Sequence, residues 1–211
     1  PLTEELHRQI MNVIHNTVTA IPVGEGWSWD EYKTIKNAIF VIKQSNWNDA
    51  VKDDFVVAAH GLLNLLNSAL FPLEIMENAI CNGQINKAVT SPYGRIQELW
   101  DIADQAGSMQ ELCMVVADAL ERKYRERLKI CPKANALREY LNEHKLGKVA
   151  IIVPKAYYAD LLRMVYPEYF SDENVICVTA NRFDSQKKYD AVLCVGELNN
   201  KRFDPLQCLA A

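Results

Sequence analysis

The spacing of apolar residues along the chain changes near Gly147. Before this residue, apolar side chains recur at the three- and four-residue intervals typical of amphipathic helices. After it, short continuous runs rich in Val and Ile alternate with one helical segment, which is typical of a parallel sheet covered on both faces. The pattern therefore predicts an α+α/β fold, with an all-α helical bundle over residues 1–146 and a small three-stranded parallel α/β unit over residues 147–211.

Start and stop signals bound the predicted helices of the first part. Ser91 followed by Pro92 is typical of a helix start. The segments SWDE, from Ser28, and SMQE, from Ser108, have the spacing of a capping box. The segment 55–70 is apolar nearly all round, so we expect it to form the central helix of the bundle. The predicted helices cover about residues 3–20, 28–44, 47–70, 72–80, 92–105, 109–130 and 133–145.

The second part has three predicted strands, over residues 148–153, 174–179 and 189–195, with a helix over 156–166 between the first two. A further helix starts at Asp204, and the sequence stops inside it. Open sheets usually have about four to six strands. We therefore expect the chain to be a truncated piece of a longer polypeptide, or the small sheet to borrow cover from the helical part.

Composition limits the classes of function. The 211 residues carry a formal net charge of −4, so no global basic field indicates nucleic-acid binding. The six Cys show no metal-ligand spacing, which favours free thiols in a reducing compartment. No apolar run approaches the length of a membrane span. We expect a cytoplasmic protein without a membrane partner.

Familiar catalytic motifs are absent from the sequence. The eight Gly complete neither a phosphate-binding loop nor a dinucleotide fingerprint, and the four His form no metal motif. No nucleophile motif of the GxSxG or SxxK type occurs. The sequence therefore predicts no cofactor, no metal, no catalytic residue and no turnover from this chain alone.

One basic segment lies in a predicted helix, ERKYRERLK over residues 121–129. At helical spacing, Arg122, Arg125 and Lys129 share a face that could contact nucleic-acid phosphates. The alternative is a solvated helix end, where the helix dipole favours cations.

A second candidate site follows the strands, because ligands of open α/β sheets bind outside the carboxyl ends of the strands. Basic side chains in these loops alternate with aromatic ones, although ordinary polar loops remain the alternative. We expect Lys187 and Lys188 to contact nucleic acid. Candidates for ligand or phosphate contact are Lys155, Thr179, Asn181, Arg182, Glu197 and Arg202.

The order of the segments KVAIIVPK, AYYADLLRMVY, NVICVTANRF and YDAVLCVGEL resembles a RecA-like half-domain of helicase-type proteins. It is similar to the helicase-like component of the bacterial DISARM anti-phage system. The resemblance covers residues 148–211 and does not include the half that grips the nucleotide. It implies that Arg182 or Arg202 lies near a phosphate held by a neighbouring domain.

Three functions follow as hypotheses. The first is a non-catalytic fragment of a larger bacterial helicase-like or NTPase-like protein, which contacts nucleic acid or the remainder of its polypeptide. The second is an interaction or regulatory module whose helical bundle docks a protein partner, which predicts an exposed apolar patch on the bundle. The third is a small-molecule enzyme or binder with a pocket at Thr179, Asn181 and Glu197.

Overall fold

The computed structural model describes residues 29–47, 49–86, 89–144, 147–170, 174–184 and 187–195, together with residues 4, 7 and 23. The helix predicted over 3–20 therefore lies almost wholly outside the described residues, and the helix predicted from Asp204 lies outside them entirely. The chain forms two compact units: one spans residues 24–134, and the other contains the described residues from Asn135 onward. The units thus divide after Ala134, whereas the apolar pattern changes at Gly147.

The described elements confirm the predicted α+α/β class. The helices are α1 (Trp29–Gln44), α2 (Asp49–Ser68), α3 (Leu73–Cys81), α4 (Pro92–Ala103), α5 (Gln110–Arg127), α6 (Pro132–Glu143), α7 (Tyr157–Val165) and α8 (Pro167–Phe170). The strands are β1 (Val149–Val153), β2 (Val175–Thr179) and β3 (Ala191–Cys194). Short 3₁₀ turns precede α5, over Gly107–Met109, and follow β2, over Ala180–Arg182.

Helix α2 is the centre of the helical unit, as its apolar sequence predicts. It packs against α1, α4 and α5. Phe55, Leu62 and Leu63 on this helix are fully buried. Because each buried side chain of this size contributes about 1.5–3 kcal/mol, α2 is the element on which the other helices of this unit depend.

Of the three predicted Ser-initiated helix starts, Ser28 lies outside the described residues, and the other two behave differently. The Ser91 hydroxyl accepts the backbone N–H of Gly94 at 2.9 Å, and Pro92 occupies the first turn of α4, as predicted. The capping box predicted at Ser108 is wrong. Gly107 adopts a left-handed backbone (φ 54°), and Ser108 follows it inside the 3₁₀ turn. Helix α5 consequently begins at Gln110, one residue later than predicted, without a side-chain cap.

The sheet has the order β2-β1-β3, and both pairings are parallel. Every residue of β1 is buried, whereas β2 and β3 are mostly half-buried. The expectation of cover on both faces therefore holds for the central strand. The outer strands have a neighbour on one side only among the described residues, which leaves them partly exposed.

Within the described part of the chain, no single helix combines the length and the apolar character needed to cross a membrane. Helices α2 and α3 meet that criterion only when taken together, across a bend of 120°.

Replacement of Ser91 by Ala should destabilise the helical unit. The change removes the acceptor of the Gly94 N–H, and the loss of an N-cap costs about 1 kcal/mol. Ser108→Ala is the matched control, because no helix-capping bond depends on that hydroxyl. Urea denaturation followed by Trp fluorescence measures both free energies of unfolding. Equal losses in the two variants would contradict the assignment of Ser91 as the only one of the pair that caps a helix.

Candidate functional site

The parallel pairing brings the carboxyl ends of the three strands to one edge of the sheet. Val153 of β1 is level with Thr179 of β2, and Ile152 is level with Cys194 of β3. The chain moves from β1 to β2 on one side and then returns past β1 to β3 on the other. The strand order reverses between β1 and β3, and such a topological switch point at the carboxyl ends is where open α/β sheets form their ligand crevice.

Four of the predicted contact residues lie at this edge. Lys155 is exposed in the turn between β1 and α7, and Thr179 is the half-buried last residue of β2. Asn181 and Arg182 are exposed in the 3₁₀ turn that follows β2. Glu197 and Arg202 lie outside the described residues. The structure thus brings Lys155, Thr179, Asn181 and Arg182 to one edge.

The charge at this edge is available to a ligand. Lys155 and Arg182 make no ion pair with any residue that the structure describes, and both are exposed. The nearby Asp184 carboxylate instead lies 3.7 Å from the ammonium group of Lys187. Two solvated cations, Lys155 and Arg182, therefore lie just beyond the carboxyl ends of β1 and β2.

The connection from β2 to β3 crosses one face of the sheet. Phe183 packs with Val178 and Val192 around Ile152, and its ring stacks on that of Tyr189 at a centroid distance of 5.3 Å. Burial, together with the Asp184 charge, raises the pKa of Tyr189. The Tyr189 hydroxyl is buried and has no hydrogen-bond partner among the described residues, so its ring acts as an apolar cover.

This crossing carries Lys187 and Lys188 away from the carboxyl edge. Both residues come just before Asp190, whose carboxylate accepts the backbone N–H of Lys148 at 2.6 Å. The Asp190 N–H in turn donates to the Lys148 carbonyl at 2.8 Å. These bonds fix Asp190 at the amino ends of β1 and β3. The structure therefore separates the pair of lysines from Lys155 and Arg182, because a parallel strand must begin at the edge opposite to the one where its predecessor ended.

The basic segment of α5 belongs to the helical unit and exposes fewer cations than its sequence suggests. Arg122, Arg125 and Lys129 are all exposed, but α5 ends at Arg127, so Lys129 does not share a helix face with the two arginines as predicted. The Arg125 guanidinium is also paired with Glu121 at 2.5 Å. Hydrogen bonds from Arg125 and Trp100 hold the pKa of Glu121 below its ordinary value. A cation that is already paired in this way contributes less to an external phosphate contact.

Two further cations of this segment are internal. Lys123 and Arg127 are both buried, and the Lys123 ammonium lies 2.9 Å from the carboxylate of Glu126. The sequence analysis did not predict that these two residues are buried. The signal was present, since the buried positions Val116 and Leu120 of α5 continue at the same spacing through Lys123 and Arg127.

Three of the described cysteines, Cys113, Cys131 and Cys177, are buried. No group of three His, Cys, Asp or Glu among the described residues could hold a metal ion. Burial raises the pKa of the Cys113 thiol to about 11 and that of Cys177 to about 12, and it also raises the pKa of Cys131. These thiols stay protonated near neutral pH and are poor nucleophiles.

Comparison with protein-family models finds none that matches the chain, and searches among curated proteins and solved structures find no match either.

Gly147 is required by the close approach of Asp190. A Cβ at position 147 would lie 2.6 Å from the Asp190 Oδ2 atom, which is the acceptor of the Lys148 N–H. Gly147→Ala should displace this carboxylate and cost about 1 kcal/mol, the usual contribution of one hydrogen bond. In an Asp190→Ala background, the same Gly147→Ala change should cost nothing, because the clash and the bond are both gone.

The double-mutant cycle, measured by chemical denaturation, gives the coupling between the two positions directly. Hydrogen exchange of the Lys148 amide provides a local readout and should accelerate in each single variant. Additive effects of the two substitutions would refute the proposed contact.

Proposed function

We propose that this chain is a non-catalytic part of a larger helicase-like or NTPase-like protein and that the carboxyl edge of its sheet contacts nucleic-acid phosphates. One observation carries the proposal. Two exposed cations without an ion-pair partner in the described chain, Lys155 and Arg182, follow the adjacent parallel strands β1 and β2 at the carboxyl edge of the sheet. That position is where sheets of this type bind their ligands.

The chemistry of the four residues at this edge suits phosphate. The planar guanidinium of Arg182 can donate two parallel hydrogen bonds to one phosphate, while the ammonium of Lys155 acts as a compact charge. The neutral groups of Thr179 and Asn181 supply the type of additional donors that commonly contact phosphate oxygens. Contacts to phosphate carry no direct information about the base sequence, so we expect binding with little sequence preference.

The net negative charge of the chain does not favour nucleic-acid binding, so the proposed contact depends on the cations at the sheet edge. With a net charge of −4, the whole chain repels a polyanion at long range. Attraction therefore depends on the few cations at the edge, and salt should screen it strongly.

The test is binding of fluorescein-labelled single-stranded and duplex DNA, followed by fluorescence anisotropy between about 50 and 200 mM KCl. We expect Lys155→Ala/Arg182→Ala to weaken binding by about tenfold at the low-salt end. If each side chain contacts one phosphate, the slope of log K against log salt for duplex DNA should fall by about 1.8.

The matched control is Lys187→Ala/Lys188→Ala, which removes the same charge from the crossing that leads to the amino edge. This variant should retain most of the affinity and most of the salt dependence. Equal losses in the two double variants would contradict a site at the carboxyl edge. Absence of salt-dependent binding by the unaltered chain would contradict the proposed function itself.

A further inference from the structure

An open groove of about 570 Å³ runs along the helical unit between α4 and α5. Trp100 of α4 forms one wall, and the exposed side of α5 forms the other. The α5 residues that the groove uses recur at helical spacing, so they make a continuous stripe. This stripe consists of Glu111, Met114, Val115, Asp118 and Arg122.

The groove lining is mainly apolar and is exposed to solvent. Val115 is 58% exposed, and Met114 beside it is half-buried. The exposed valine lies next to a methionine and a tryptophan, so the three side chains form a small contiguous apolar surface. Methionine adapts its shape to a partner, which suits such a surface.

The tryptophan wall is fixed before any partner arrives. The Trp100 indole N–H donates to Glu121 Oε2 at 2.8 Å. The other carboxylate oxygen of Glu121 accepts from the Arg125 guanidinium at 2.5 Å. This network holds the indole in one orientation, so a partner would not have to order it on binding.

Two exposed carboxylates, Glu111 and Asp118, line the groove, and the stretch of sequence that contains it is acidic. Residues 96–120, which span most of α4, the turn and the first part of α5, contain five carboxylates and no Lys, Arg or His. Each carboxylate is exposed, and none of them makes an ion pair with a described residue. These residues are Glu98, Asp101, Asp104, Glu111 and Asp118. The one cation in the lining, Arg122, lies at the end of the groove where this acidic stretch stops.

We propose that the α4–α5 groove docks an amphipathic helix of a partner protein whose apolar stripe is flanked by Lys or Arg. An apolar groove of this kind receives an amphipathic helix through side chains at three- and four-residue spacing. The lining from Glu111 to Arg122 extends about 16 Å along α5, which matches a partner helix of about three turns. The unpaired carboxylates select a basic partner, and they repel nucleic acid and anionic lipid surfaces.

The probe for this proposal is a synthetic amphipathic peptide of Leu and Lys at helical spacing, labelled with fluorescein. Its control is the same peptide with Glu in place of Lys. We expect the Leu/Lys peptide to bind the full 211-residue chain with a salt-sensitive affinity. We expect the Leu/Glu peptide to bind at least tenfold more weakly, because its carboxylates meet Glu111 and Asp118 with like charge.

Two variants locate the peptide. Val115→Asn removes an apolar contact at the centre of the groove and should weaken binding about tenfold. Val57→Asn is the matched control, because Val57 is 68% exposed on α2 and does not line the groove; it should leave the affinity unchanged. Glu111→Gln/Asp118→Asn keeps the side-chain shapes and should weaken binding while reducing its salt dependence.

Three results would overturn the proposal. They are equal binding of the two peptides, equal effects of the Val115 and Val57 variants, or no binding of the Leu/Lys peptide by the unaltered chain. A concentration-dependent dimer that Val115→Asn dissociates, measured by light scattering, would assign the groove to a second copy of the chain and also overturn it. DNA binding by Val115→Asn should equal that of the unaltered chain, so this test and that of the proposed function fail separately.

Discussion

Parallel pairing of β1 with a neighbour on each side is the constraint that decides where the candidate phosphate site lies. Each parallel neighbour requires the chain to return from one edge of the sheet to the other before the next strand begins. Helix α7 lies in the connection to β2, and the segment around Phe183 makes the return to β3. All three carboxyl ends consequently share one edge, and the residues that follow β1 and β2 lie at that edge.

The helical unit depends on a different kind of constraint. Helix α2 supplies the apolar centre, but a few polar side chains fix how the surrounding helices meet. The Glu77 carboxylate of α3 accepts both the Tyr93 N–H at the start of α4 and the Tyr124 hydroxyl of α5, at 2.7 and 3.2 Å. Burial and the Glu77 charge raise the pKa of Tyr124, so the phenol remains a donor. The hydrogen bonds of Glu77 and the Trp100–Glu121 hydrogen bond thus link α4 to α5, the two helices that form the groove.

The sequence predicts the elements well because their signals are local. The periodicity that defines α2, the Ser91 cap and the continuous apolar run of β1 each depend on a few neighbouring residues. The capping box at Ser108 failed because the conformation of Gly107, one residue earlier, decided the path of the chain. The position of Lys187 and Lys188 could not be read from the sequence either, since it follows from the return of the chain across the sheet. The groove is a tertiary feature, although the acidic stretch over residues 96–120 was visible in the sequence.

The net charge of −4 describes neither candidate surface, because the charged residues are unevenly distributed along the chain. Within a few residues of the strand ends, Lys155 and Arg182 are exposed cations. Over residues 96–120, five exposed carboxylates face solvent without a cation among them. Interactions between exposed charges fade within about 8–10 Å at physiological salt, so each surface acts on a ligand through its own charges rather than through the total. The proposed phosphate contact therefore depends on the cations at the sheet edge, and the proposed helix docking depends on the carboxylates that line the groove.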